Sequence, residues 1–358
     1  MLVIYGFCFA VGTIMQETNQ FSNEAFFAES AMRPTARTWI KHVLFLLMTL
    51  ATATVAGVLY PFGLIDSLPV ADPQTWEEAY QFFTDIPAKY AGLVGGAVYM
   101  LATDLAYLKY GLSFSLSLLF ILISHEMGHY IACRIYKVDA TLPYFIPTPP
   151  MIGPAGTFGA FIKIVSPMPS RKAVFDIGVA GPIAGFLALI PVAILGFATM
   201  RQVSVSEVNS FQSTGITFSD PIFFHFLAYI FGINLSVPMF PNAFYFAAWV
   251  GLLVTALNLI PSGQLDGGHA IYSVLGERVH RMTGRIAFVM MAALAVLGWV
   301  YFNSPSGLLL TVLLGVMMRV KHPEPWDQRP LDAKRKLIAF FTLILFILCF
   351  TPFPIKIN

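Results

Sequence analysis

The residues with the most chemical potential lie inside an apolar run: Ser124-His125-Glu126-Met127-Gly128-His129. Positions i and i+4 share one face of a helix. The imidazoles of His125 and His129 can therefore reach a single zinc ion, and Glu126 between them is placed to take a proton from a water at that ion. A polar cluster that merely pairs helices is the alternative reading. It is disfavoured by cost, because each ionisable group at a bilayer centre costs at least ~2.5 kcal/mol on the mildest scales. Three such groups between positions 125 and 129 demand a partner, and a divalent cation meets that demand best.

A catalytic zinc keeps three protein ligands and one open position. Two residues compete for the third place. Cys133 continues the His125–His129 stripe by one turn. Three successive i+4 residues, however, spread along about 12 Å of helix axis, too far to converge on an ion with bonds near 2 Å. Cys133 is read as packing. The other is Asp266, in Asn258-Leu259-Ile260-Pro261-Ser262-Gly263-Gln264-Leu265-Asp266-Gly267-Gly268. Pro261 and the glycines end an apolar run there, so the backbone is expected to unwind and let a carboxylate swing toward a neighbouring helix.

His125-Glu126-x-x-His129 followed by Asn258-x-x-Pro261-x-x-x-x-Asp266-Gly267 resembles the site-2 protease family of intramembrane zinc metalloproteases, over roughly 40–353. The resemblance implies His125, His129 and Asp266 as ligands of one zinc ion, Glu126 as general base, and Asn258 beside the zinc, helping to position substrate or the developing oxyanion. It implies hydrolysis of peptide bonds in transmembrane protein substrates, as in regulated intramembrane proteolysis. Gly181-Pro182-Ile183-Ala184-Gly185 is similar to the family's GxxxN/G element, and a close helix crossing through small residues explains it equally well. Gly156-Thr157-Phe158-Gly159 resembles the family's substrate-clamping strand. Two other classes remain. A prenyl-protein processing type of membrane zinc protease would take a Glu ligand from a later helix. A non-enzymatic transporter or metal-binding protein would scatter ionisable residues along several spans.

The elements that must hold these groups follow from composition. Hydrophobic residues make up 57% of the 358 and charged ones 11%, against about 45–50% and about 25% in soluble domains. Such a chain suits a lipid-facing surface. A net charge of +2 gives no sign of nucleic-acid binding. The expected fold is an all-α polytopic membrane bundle of about six to seven transmembrane helices, with a small membrane-associated β segment around 141–166. Span candidates are 43–60, 112–136, 172–199, 243–260, 285–303 and 337–353, with a shorter one at 305–320. The apolar stretch 91–108 contains Gly95, Gly96 and Asp104. If it does not cross, all four basic clusters share one face, cytoplasmic by the positive-inside rule. It is therefore read as re-entrant, interfacial or packed on the bundle. The N-terminus is then cytoplasmic, the C-terminus lies on the far side, and the site sits nearer the cytoplasmic face.

Residues 138–171 are too rich in Pro and Gly for a helix and too apolar for an ordinary loop, with Thr157–Val165 as the expected strand. Residues 201–220 read as a polar loop. The chain divides into a cytoplasmic segment 1–42, a metalloprotease core 43–320, and a basic linker with a C-terminal transmembrane helix at 321–358. The interval 138–171 is too short for a PDZ domain. Cys8, Cys133 and Cys349 read as small buried hydrophobes, and residues 1–15 as a peripheral segment. His42, His225, His280 and His322 are expected at the interface, as are Trp249, Trp299 and Trp326. His269 is read as supporting Asp266 or capping a helix end.

Overall fold

The computed structural model describes residues 34–59, 61–63, 65, 75–151, 154–202, 216–235, 239–240, 242–319, 322 and 324–357; the peripheral segment at 1–15 and Cys8 lie outside them. Thr35 accepts a hydrogen bond from the Thr38 amide and opens helix α1 (Ala36–Val58). Thr75 caps α2 (Trp76–Thr103) through the Glu78 amide, with Glu77 and Glu78 favourably placed in its first turn. The stretch 91–108 is thus neither a loop nor one element. It is the end of α2, a break at Asp104, and the start of α3 (Leu105–Ile135). Asp104 makes the break by accepting from the Ala106 amide. Ala97 is the one fully buried residue on α2, which lies against α1 and α3.

After α3 the chain forms an antiparallel hairpin, β1 (Tyr144–Pro147) and β2 (Thr157–Phe161), with an irregularity between Phe145 and Pro147. β2 stops at Phe161, short of the expected Val165. Pro143 on the facing side offers no amide hydrogen, and pairing resumes only as the bridge Ala140↔Ile164. The hairpin lies on α1: Thr52 Oγ1 donates to Gly156 O at 2.8 Å, and His42 Nδ1 lies 2.8 Å from Pro143 O. His42 is therefore buried, not interfacial. Gly156 has φ +75°, and a Cβ there would stand 2.4 Å from Thr52 O, so the turn requires glycine.

Ser170 caps α4 (Arg171–Ala198), which runs along α3. The expected polar loop at 201–220 carries two short strands, β3 (Arg201–Gln202) and β4 (Ile216–Phe218), and α5 (Ile222–Phe231) follows. β3 pairs with β5 (Met239–Phe240). Helix α6 (Ala243–Asn258) is enclosed by α3 and α4. Trp249 on it is 2% exposed and donates to Ser219 O at 3.0 Å, so it is a core residue and not an interfacial anchor. Trp299 and Trp326 are exposed. The chain continues through α7 (Asp266–Leu275), α8 (Glu277–Tyr301), α9 (Ser306–Met317) and α10 (Ala333–Cys349), and ends with β6 (Ile355–Ile357) paired to β4.

Four described helices are long and apolar enough to cross a membrane: α1, α3, α4 and α8. This is fewer than six to seven. The apolar runs at 243–260 and 305–320 yield helices of 16 and 12 residues, because the chain unwinds over 259–265 and Pro305 delays the start of α9. The run at 337–353 lies in the 17-residue α10, which stops before Pro352 and Pro354. A clasp fastens α10 to the bundle. Arg335 grips Asp176 of α4 with Nε at 2.9 Å and Nη2 at 2.6 Å, and Nη2 also donates to Tyr136 Oη at the end of α3.

Candidate metal centre

The centre forms where α3 crosses α4, and small residues permit the approach. A Cβ at Gly128 would stand 2.4 Å from Ala180 O. On the facing helix, a Cβ at Gly181 would meet His129 Nε2 at 2.1 Å, and one at Gly185 would meet His125 Cβ at 3.0 Å. Gly181 and Gly185, one turn apart, make the groove that receives the His125–His129 ridge. The close helix crossing expected of this stretch is present, and its gap is filled by the imidazoles themselves.

Asp266 arrives from the opposite side. After Asn258 the chain leaves helical form and folds tightly against the first turn of α7. A Cβ at Gly267 would lie 2.0 Å from Leu259 O, and one at Gly268 would lie 2.4 Å from Gly263 O. This compact turn sets Asp266 at the N-terminal end of α7, 2% exposed. His125, His129 and Asp266 are all buried and form the one His/Cys/Asp/Glu group among the described residues able to hold a metal ion.

The donor atoms form a nearly equilateral triangle. His125 Nε2 and His129 Nε2 are 3.2 Å apart, and Asp266 Oδ2 lies 3.3 Å from the first and 3.4 Å from the second. Zinc bonds of about 2.0–2.1 Å at tetrahedral angles separate donors by about 3.3–3.4 Å. Asp266 Oδ2 makes no hydrogen bond of acceptable geometry although both ring nitrogens are close. The three atoms lie within 4.8 Å of one another, close enough to share one ion. His129 Nδ1 lies 2.7 Å from Ile177 O. A carbonyl can only accept, so Nδ1 carries the proton and Nε2 presents its lone pair. The residues present therefore fit a tetrahedral zinc with one position left open.

Glu126 is 3% exposed and its Oε2 has no hydrogen-bond partner. A buried carboxylate without partners costs stability unless function retains it. It lines a small cavity together with His129, Asp266 and His269. Asn258, at the end of α6, places Nδ2 3.4 Å from His125 Nε2. Cys133 lies in a separate apolar cluster with Val138, Met168 and Val174, away from the triangle.

Histidines expected at the interface appear behind the centre. His269 Nδ1 and His322 Nε2 are 2.7 Å apart, His322 stacks on Tyr272 at 3.9 Å, and His280 Nε2 lies 3.0 Å from Gly263 O. His280 is thus buried, and His322 supports α7 through His269. The Ile177 carbonyl that fixes His129 has no sequence signature, because every residue carries one.

A buried two-histidine, one-aspartate donor set beside a buried glutamate with a free Oε2, held among helices of membrane-crossing length, defines a membrane-associated metalloprotein. The chain belongs to peptidase family M50, whose model matches residues 113–298 and so contains His125, Glu126, His129, Asn258 and Asp266; this is the site-2 protease family that the two motifs resemble. The chain is 30% identical over 239 residues to probable zinc metalloprotease EGY1, chloroplastic, of Arabidopsis thaliana, covering 65% of this chain and 41% of that protein. It is 29% identical over 212 residues to probable zinc metalloprotease EGY2, chloroplastic, of Oryza sativa subsp. indica (56% and 36%). It is 26% identical over 285 residues to the EGY2 counterpart of Arabidopsis thaliana (76% and 46%). The chain spans less than half the length of these relatives.

Proposed function

We propose that this protein is a zinc metallopeptidase that hydrolyses peptide bonds of transmembrane protein substrates in or beside the bilayer. The observation that carries the reading is the triangle of His125, His129 and Asp266 with the buried Glu126 beside it, whose Oε2 has no hydrogen-bond partner. Zinc held by these three residues would supply a Lewis acid that polarises the scissile carbonyl and acidifies water. Glu126 takes a proton from the attacking water and passes it to the leaving amine nitrogen, so that it ends the cycle as it began. The Asn258 amide donates toward the carbonyl oxygen as negative charge develops there. The Ile177 carbonyl holds His129 in the tautomer that leaves Nε2 free. A substrate helix must unwind to expose its peptide bond, and an extended segment can pair along β2 by strand addition.

In this reading the core runs from 43 to 320, with 321–358 as a linker and a further membrane helix. The bundle also includes α6, α9 and α10, giving the six to seven membrane helices suggested by the apolar runs. At 16 residues, α6 is about 24 Å long, and the unwound 259–265 is tolerated at membrane depth because protein surrounds it. The shared face of the basic clusters is the cytoplasmic one, and the centre lies nearer to it. An Asp in the ligand set favours this reading over a prenyl-protein processing enzyme. The test is cleavage of a model single-span substrate by wild type and Glu126→Gln at equal zinc content. Loss of cleavage supports the reading, and retained cleavage overturns it.

A further inference from the structure

The cavity beside Glu126 has two unlike ends. One is polar and formed by Glu126, His129, Asp266 and His269. The other is apolar. Ile162, Ile164 and Met168 roof it from the segment after β2, and Val174 and Ile177 wall it from the first turns of α4. Gly178 lets His269 approach α4 closely and close the polar end; a Cβ there would stand 2.8 Å from His269 Cβ. The whole cavity measures about 30 Å³, room for about two waters.

A buried water needs two to four polar partners, and only the polar end offers them. The apolar end is suited instead to a side chain. A peptide bond presented to Glu126 carries side chains on the carbons at either side of it. The space under Met168 is the apolar part of the cavity that Glu126 also lines, and so lies within reach of one of these side chains. We propose, building on the peptidase reading, that this apolar end is the subsite for a residue flanking the scissile bond. It admits a small apolar side chain such as Ala and rejects large or acidic ones. Met168 sets the limit. It is buried, at 6% exposure, and its height is fixed from outside: Met168 O accepts from Trp326 N at 3.2 Å, and Pro169 O accepts from Asp327 N at 3.1 Å. An acidic side chain would face both an apolar wall and the Glu126 and Asp266 carboxylates.

The experiment uses the full chain, zinc-loaded, with single-span substrates that differ only at the two residues flanking the cleaved bond (Ala, Val, Leu, Phe or Asp). Wild type is expected to favour Ala over Phe at one of the two positions by at least about tenfold in kcat/KM. Met168→Ala should bring that ratio near one, and Met168→Phe should raise it further. Zinc stoichiometry should not change in either variant. Independently of turnover, a substrate carrying a small diazirine side chain at that position, bound to Glu126→Gln, should cross-link to Met168, Ile162 or Ile164. An unaltered Ala/Phe ratio in both Met168 variants, or cross-links falling elsewhere, overturns the subsite. If wild type cleaves no member of the series, the peptidase reading fails, while the cross-link still decides the subsite.

Discussion

The floor of the centre and the roof above it are built by opposite means. The floor is two helices in close contact, where Gly181 and Gly185 accept His129 and His125 and leave no space to adjust. The roof, 162–170, has little regular structure. It is fastened through backbone groups: Met168 O and Pro169 O accept from Trp326 N and Asp327 N, and at its end Arg171 N donates to Asp327 O at 2.9 Å. The groups that need fixed geometry stand on the element with the fewest alternatives. The surface that selects among side chains stands on irregular backbone pinned by these hydrogen bonds.

The comparison can be broken first at the floor. Glu126→Gln should lower kcat by about 10²–10⁴ while zinc stoichiometry stays at wild-type level, read by metal analysis beside single-turnover rates. Gly181→Ala places a methyl where His129 Nε2 now lies. Zinc affinity should fall by at least about 10–100-fold in chelator competition. Gly185→Ala, facing only a 3.0 Å contact, should cost distinctly less, and equal losses would mean that the two glycines do not act through the imidazoles. Arg335→Gln removes the clasp on Asp176 and should cost about 1.5–3 kcal/mol by thermal or denaturant unfolding, leaving zinc affinity unaltered. The smallest effect is expected at the roof. Asp327→Pro deletes the amide donor to Pro169 O, worth about 0.5–1.5 kcal/mol, together with the exposed Asp327–Arg329 pair. It should speed limited proteolysis within 162–170 severalfold without loss of zinc.

The same contrast explains which parts were legible in the sequence. His125, Glu126 and His129 could be read because helical spacing alone sets their geometry. Asp266 could be approached because Pro261 and the glycines announce an unwound turn. The roof was recognised as irregular, but its strand ends at Phe161 because of a proline across the hairpin. The pairing of Met168 and Pro169 with Trp326 and Asp327 leaves no mark on residue types. Trp249, His42 and His280 looked like interfacial groups because polar tips at the ends of apolar runs usually reach headgroups. Here their ring nitrogens meet the carbonyls of Ser219, Pro143 and Gly263 instead.

The central claim is that one zinc ion is held by two imidazoles and one carboxylate from helices α3 and α7. X-ray absorption at the zinc K-edge of the purified full chain tests it most directly. The expected spectrum has one zinc per chain with only nitrogen and oxygen neighbours, at about 2.0–2.1 Å, including two imidazoles. A sulfur neighbour at about 2.3 Å, or a spectrum and zinc content that do not change when Asp266 is replaced by Ala, would contradict it.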